Sequence, residues 1–290
     1  MARPKWPVTG QTPLPRRVAT LETCATPRPD VTGDRWIGGI SFDPDGCDFD
    51  GAALDGAGPT MTISDHDPSS PLEYRPFLVW EGAKASTIGS SGGDGVDLAA
   101  RARRKLERST SYQVEVEFWG GALAQGAADY AGNAYLTDGN VTQLNGGAAT
   151  PLLYALADLQ AAAAAGRARG YIHATIPTVT LWLAAGGLRR EQNLLLDAFD
   201  NVIVAGAGYD GSDPDGAVDA TGETAWAYVT GPVDLLLSPI DTSTPGDYVD
   251  FTANTREHYA VRWAAPIWDG CVQSGVNVDL CSPCCEPSGS

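Results

Sequence analysis

The sequence predicts an α+β fold with an extended, loop-rich amino-terminal third. Three observations point there. Helical and strand-like segments follow one another without regular βαβ alternation. The apolar share of 43% is enough to fill a core. And 34 glycines and 20 prolines among 290 residues, nearly a fifth of the chain, indicate long extended connections. The length suits one or two domains.

Residues 1–35 contain Pro4, Pro7, Pro13, Pro15, Pro27 and Pro29 and few large apolar side chains. Proline removes backbone donors and favours extended backbone, so neither a helix nor a central strand is expected here. Fully extended, these residues would span roughly 115 Å, more than the diameter of the body they precede. Residues 36–76 begin with a strand, Trp36 to Phe42, continue through a turn-rich acidic stretch (Asp43, Asp45, Asp48, Asp50, Asp55) and reach a second strand, Thr60 to Ile63. The two strands are expected to pair as a long hairpin that needs a partner surface. Pro76 to Trp80 reads as a buried strand.

A long helix is predicted from Val96 to Trp119, with Leu98, Ala102, Leu106, Val114 and Trp119 at helical spacing. Its first half is basic (Arg101, Arg103, Arg104, Lys105, Arg108) and its second acidic (Glu115, Glu117), the reverse of what the helix macrodipole favours. Packing or a partner must offset the reversal; the basic row is either a solvated face or an ion-paired contact with another subunit. A second helix is expected over 151–165, with Thr150 as N-cap, Pro151 at N1, Leu152, Leu153, Leu156 and Leu159 on the apolar face and Gly166 as the stop. A strand from Tyr171 to Ile176 and a short helix from Pro177 to Ala185, closed by Gly186-Gly187, follow. Three more strands are predicted: Asn201–Ala205, Trp226–Leu237 and His258–Val278, the last broken near Pro266. The sequence contains no internal repeat.

Charge excludes some functions. With 36 acids and 19 bases the formal charge is −17, so nonspecific binding to nucleic acid is not expected of the body. No apolar run approaches the ~18 residues of a membrane span, and no apolar segment follows the basic start as in a signal peptide. Residues 1–35 hold six bases and three acids, whereas the other 255 hold 13 and 33. Such a tail either lies on another copy's acidic surface or is a solvated leader.

Two patterns resemble catalytic motifs and lack their context. Gly206-Ala-Gly208-Tyr-Asp-Gly211 follows a strand, but Ser212-Asp213-Pro214-Asp215-Gly216 comes next, which cannot open the helix that faces a dinucleotide phosphate. Gly89-Ser90-Ser91-Gly92-Gly93 is separated by polar residues 81–86 from the strand a nucleophile elbow requires. The aspartate-rich stretches 43–50 and 210–219 do not fit the twelve-residue calcium loop, because Gly211 and Gly222 would fall where acids belong. Cys281, Cys284, Cys285 and Cys271 form one zinc-type knuckle without a second, leaving metal, disulfide and free thiols open. Cys24 and Cys47 lie far away in sequence. His173 falls in a core strand and reads as structural, and His66 in a polar loop. No catalytic, cofactor-binding or metal-binding residue is assigned. Trp119, Trp182, Trp226, Trp263 and Trp268 are expected in the core, and Trp6 and Trp36 as anchors in a neighbour's pocket.

From about residue 77 onward the order of elements resembles the major capsid protein fold of tailed bacteriophages, which encapsulins share. Thr110-Ser-Tyr-Gln-Val-Glu-Val-Glu-Phe-Trp-Gly-Gly121 is similar to the close of that family's spine helix. Helix 151–165, the strand and helix of Gly170–Leu188, and Leu194 to Val204 resemble its axial domain. Thr255-Arg-Glu-His-Tyr-Ala-Val-Arg-Trp-Ala-Ala-Pro266 resembles its late strand. The resemblance covers roughly three quarters of the chain. It implies a capsid-like α+β fold: an extended N-terminal arm (1–35), a long hairpin loop (36–76), a peripheral domain with the spine helix (77–145), a mixed α/β axial domain (146–255), and a return strand with a C-terminal tail (256–290). It also implies a non-enzymatic subunit of an icosahedral phage head, assembled in the host cytoplasm, without cofactor or membrane. Its partners would be many copies of itself, DNA enclosed without sequence-specific binding, and other virion proteins such as portal, decoration or scaffold. Members that crosslink use a hairpin lysine. None lies between 36 and 76 here, so no crosslink is expected; nor is a cleaved scaffold domain, since no long helical segment precedes the arm. The cysteine-containing tail is atypical and leaves open a minor head or tail protein. An encapsulin-like shell is the further alternative, and a hydrolase or nucleotide-binding enzyme the competing class.

Overall fold

A computed structural model of the chain describes residues 19–27, 36, 39–42, 72–86, 97–166, 169–243, 255–268 and 272–281. Several expectations lie outside these residues: Trp6 and the arm tip, the hairpin stretch 43–71 with its aspartates, the strand at Thr60–Ile63 and its lack of lysine, the glycine-serine pattern at 89–93, and Cys47, Cys271, Cys284 and Cys285.

The described chain runs α1 (Leu21–Cys24), β1 (Thr26–Pro27), β2 (Ile40–Phe42), β3 (Leu72–Tyr74), β4 (Phe77–Ser86), α2 (Leu98–Gly120) and α3 (Ala122–Gly126). It continues through β5 (Thr142–Gln143), β6 (Thr150–Pro151), α4 (Leu152–Ala165), β7 (Tyr171–Thr175), α5 (Ile176–Ala184), β8 (Arg189–Glu191), β9 (Leu194–Leu196) and β10 (Val202–Gly206). Last come β11 (Thr224–Thr230), β12 (Val233–Leu237), β13 (Asp241–Ser243), β14 (Thr255–Trp268) and β15 (Gln273–Asp279). This is the α+β class the sequence predicts.

Helix α2 starts where the Asp97 side chain accepts from the Ala100 N–H at 2.9 Å, a capping bond that satisfies one of the four orphan donors. It ends at Gly121, whose φ of 58° is left-handed and whose N–H reaches the Glu117 carbonyl. Leu98, Ala102, Leu106, Thr110, Val114 and Phe118, spaced by four, are all buried. This stripe packs on a five-stranded sheet ordered β1-β12-β14-β13, with β4 also paired to β14. The second sheet has eight strands, β5-β15-β11-β7-β10-β9-β8 with β6 also on β15, and α4 and α5 pack against it. Every residue of β7 is buried, and Trp182 of α5 ties to α4 by donating its indole N–H to the Leu152 carbonyl at 2.8 Å.

Several local expectations are corrected. The arm does form a helix: Leu21–Cys24 makes one turn because the prolines flank it rather than occupy it, and Ala19, Leu21 and Cys24 are buried against the chain's own body. Thr26–Pro27 adds in parallel to β12 at a sheet edge, where proline's missing donor is tolerated. The root of the hairpin pairs Ile40–Phe42 with Leu72–Tyr74. Trp36 is buried with Tyr74, Leu236, Ala265 and Ile267 of its own chain, so it is not an anchor for a neighbour. Thr150 sits in β6 and bonds Asn145 and the Ala148 carbonyl, leaving Pro151 as the helix N-cap. Leu153 points out, 41% exposed, because α4 turns its Leu152–Leu156–Leu159 face inward. Residues 226–237 form two strands rather than one. The late strand continues through Pro266, since the β4 ladder stops at Ala264 and one edge of β14 is unpaired there among the described residues.

Candidate assembly interface

The residues that sequence reasoning found misplaced in α2 turn out to be fasteners. Glu115 is fully buried, and its carboxylate accepts from the Leu21 N–H at 3.1 Å, the Gly208 N–H at 3.2 Å and the Ser111 hydroxyl at 2.9 Å, with the Ala207 N–H also directed at it. One side chain thereby joins the arm root, the long helix and the loop after β10. Burial pushes the acid's pKa up, while the backbone and Ser111 donors pull it back. Glu117 accepts from the Leu123 N–H with both oxygens, at 3.0 and 3.1 Å. It thus places a carboxylate at the start of α3, where the orphan donors and the dipole favour it. The reversed charge order of α2 is explained at its acidic end by these two contacts. The only signal in the sequence was the reversal itself.

The arm root is held further by the Ala19 N–H on the Asn193 carbonyl at 3.1 Å, the Ala205 N–H on the Ala19 carbonyl at 2.7 Å, and the Tyr171 hydroxyl on the Cys24 carbonyl at 3.2 Å.

The Gly206–Gly211 pattern serves the same junction. No helix follows it; a turn and extended chain do. A Cβ on Gly208 would lie 2.6 Å from the Tyr112 carbonyl oxygen and 2.7 Å from the Val116 nitrogen, so only glycine lets this loop reach Glu115. His173 is wholly buried between the Tyr209 hydroxyl (3.1 Å from Nδ1) and the Thr230 hydroxyl (3.0 Å from Nε2), and burial lowers its pKa to about 3. Asp219 accepts from the backbone and hydroxyl groups of Thr221 and Thr224, which hold its pKa well below the carboxylate range. Asp213 likewise closes its own turn onto Asp215 and Ala217. Among the described residues no group of three or more His, Cys, Asp or Glu side chains is placed to hold a metal. Cys24 is buried and Cys281 exposed, both as free thiols. No helix of the described residues is long and apolar enough to cross a membrane.

The described surface carries exposed basic and large apolar side chains. Arg101, Arg103, Lys105 and Arg108 are exposed on α2 and Arg104 half-exposed. Arg103 pairs with Glu107 at 3.2 Å and Lys105 donates to the Gly82 carbonyl at 2.8 Å. Arg101, Arg104 and Arg108 have no ion-pair partner among the described residues. Tyr154 and Phe199 on the eight-stranded side are each 72% exposed, and Trp80 on the five-stranded sheet 56%.

No protein-family model matches the chain, and no curated protein sequence matches it. Solved structures do. The capsid of an empty GTA particle aligns with a TM-score of 0.55 and 14% identity over 96% of this chain and 95% of that one. The capsid of Ralstonia phage GP4 aligns at 0.54 and 13% identity, covering 97% and 96%. The capsid chain of cyanophage Pam1 aligns at 0.52 and 10%, covering 97% of each. The chain has the fold of these capsid proteins.

Proposed function

We propose that the chain is a structural, non-enzymatic subunit of a bacteriophage head, a major capsid protein that assembles in many copies into an icosahedral shell around DNA. The observation that carries this reading is the two-way coverage: the shared fold takes in nearly all of this chain and nearly all of each capsid chain. The surface agrees. Large apolar side chains are exposed on both sheets' sides of the molecule, and the basic row on α2 stands out from an acidic body. Both are features of a surface meant for other copies.

The mechanism is interlocking around a self-sufficient body. The arm root is pinned at Ala19, so residues 1–18 reach about 60 Å from that point rather than the full length of an untethered arm. Stability gained through contacts with neighbours then belongs to the lattice and depends on protein concentration.

The test is to purify the full-length chain and follow it by light scattering and negative-stain microscopy. Capsomer rings or closed shells are expected. A protein that stays a monomer or dimer up to hundreds of micromolar overturns the reading.

A further inference from the structure

The turn between β5 and β6 carries a chemically labile pair. The chain has seven asparagines, and only Asn145 is followed by glycine. Asn145 and Gly146 are exposed, and both have left-handed backbone, with φ of 54° and 62°; Gly147 follows at 78°. The Asn145 amide donates to the Asp158 carboxylate of α4 at 2.7 Å and to the Thr150 hydroxyl at 3.0 Å. Its carbonyl accepts from the Ala148 N–H at 3.3 Å. Held in this way, the turn presents the Gly147 carbonyl to the Asn277 amide of β15 at 3.3 Å. It also lays Gly147 against Trp226, where a Cβ would stand 3.5 Å from the ring. Asn145 is thus a clip between α4 and the end of the eight-stranded sheet where β5 and β6 both add to β15.

An asparagine before glycine can lose its amide, because no side chain shields the following nitrogen. The Gly146 nitrogen gives its proton to hydroxide and attacks the Asn145 Cγ. The Cγ–Nδ2 bond breaks and ammonia leaves, taking a proton from water. Water then opens the five-membered succinimide at either carbonyl, giving aspartate or its β-linked isomer. Neither product restores the clip. A carboxylate has no proton to donate and would face Asp158 as a like charge. The isomer adds a backbone carbon to a turn with three successive left-handed residues.

The folded turn keeps the reacting atoms apart. Ring closure needs Cβ and the Gly146 nitrogen eclipsed about the Cα–C bond, at a ψ of about −120° for an L-residue. The ψ of Asn145 is 25°, and its amide is tied to Asp158 besides. Reaction therefore waits on a local opening of exposed backbone. We propose that Asn145 is a deamidation site gated by its hydrogen bond to Asp158, and that its conversion unties residues 144–148 from α4 for good. The site then keeps a one-way record of how often this corner of the molecule has opened. It belongs to the subunit alone and stands apart from the shell reading.

The experiment incubates the full-length protein at pH 8 and 37 °C for several weeks and maps its peptides by mass spectrometry, with electron-transfer fragmentation to tell isoaspartate from aspartate. Asn145 is expected to convert ahead of the other six asparagines. It should do so roughly tenfold or more slowly than in a synthetic peptide of residues 141–150, since only the open fraction reacts. Asp158→Ala should move the rate in the folded protein toward that of the peptide, and Asp158→Asn, which keeps an acceptor oxygen, should give a rate in between. Ile203→Ala opens a cavity in β10, three strands from β15, and should lower Tm while leaving the rate unchanged. Conversion as fast in the wild type as in the peptide overturns the proposal, as does a folded protein in which other asparagines convert first. Equal acceleration by Ile203→Ala and Asp158→Ala makes global unfolding the route and removes the gate. Asn145→Asp supplies one product directly. Hydrogen exchange at residues 142–150 should then rise by an order of magnitude or more while β7 and β10 keep their protection; unchanged exchange there means that the clip survives conversion and overturns the untying.

Discussion

One buried histidine should make this protein less stable in acid. His173 is completely buried in β7, both ring nitrogens are engaged, and its pKa is lowered by burial from 6.5 to about 3. The unfolded chain therefore takes up a proton below pH 6.5 that the folded chain refuses, and stability falls as pH drops from there toward 3. Between pH 7.5 and pH 5 the loss from this one group is about 2 kcal/mol, at 1.36 kcal/mol per pH unit below 6.5. Glu115 and Glu117, whose pKa values burial raises, act in the opposite sense: folding binds their protons more tightly, so acid favours them. A comparison with His173→Gln cancels their contribution, since both proteins carry them. Urea unfolding of the unassembled subunit, followed by tryptophan fluorescence at the two pH values, should show the wild type losing about 2 kcal/mol more than the variant. Equal losses in the two proteins would mean that His173 does not titrate as a buried neutral group, and the reasoning would fail.

Other outcomes follow from the same contacts. Gly208→Ala should cost about 2 kcal/mol, because its Cβ meets helix backbone rather than a flexible side chain. Calorimetry should show this as a fall in Tm of roughly 5 °C, and an unchanged Tm would refute the close approach. Reversing Arg103, Arg104 and Arg108 to Glu should depress particle yield far more than subunit Tm. The one pair broken, Arg103–Glu107, is exposed and of little worth. A normal yield would remove these residues from any interface. Cys24, whose thiol pKa burial pushes up to about 12, should resist iodoacetamide at pH 8 while exposed Cys281 reacts. Peptide mapping that finds Cys24 modified first would contradict its burial.

The parts of the fold legible from sequence are those where a single periodicity controls a long segment. Helix α2 announces itself by apolar residues recurring every four positions, interrupted once by Thr110, and by Gly121, and its observed bounds differ from expectation by one or two residues. Helix α5 is equally plain, from its proline near the start to Gly186. Two-residue strands and one-turn helices have no such signature. Leu21–Cys24 forms because a carboxylate 94 residues away supplies a partner for its first N–H, and no local propensity encodes that. Leu72–Tyr74 carries no strand signal of its own, but Tyr74 is the residue that finds Trp36, Leu236 and Ile267. Burial against distant elements overrode local preference.

The junction at Glu115 shows how the reversed charges of α2 and the Gly206–Gly208 turn belong to one device. A buried carboxylate without a cation is costly unless donors surround it, and here the donors come from the arm, the helix's own Ser111 and the Gly206–Gly208 turn. Each supplier is constrained by the others. The turn reaches Glu115 only because Gly208 lacks a side chain. The arm residue Leu21 presents its N–H only because Ala19 is already strung between the Asn193 carbonyl and the Ala205 N–H. Truncating Glu115 to alanine would leave buried donors on two segments unpaired, at about 1–3 kcal/mol each. Those segments are held to the body mainly by backbone bonds, so the cost should fall on the arm root first and the core strands last. Hydrogen exchange offers the check. Residues 19–25 should lose protection by an order of magnitude or more in Glu115→Ala while β7 and β11 keep theirs, and a uniform loss across the chain would mean that the carboxylate supports the core at large rather than the arm.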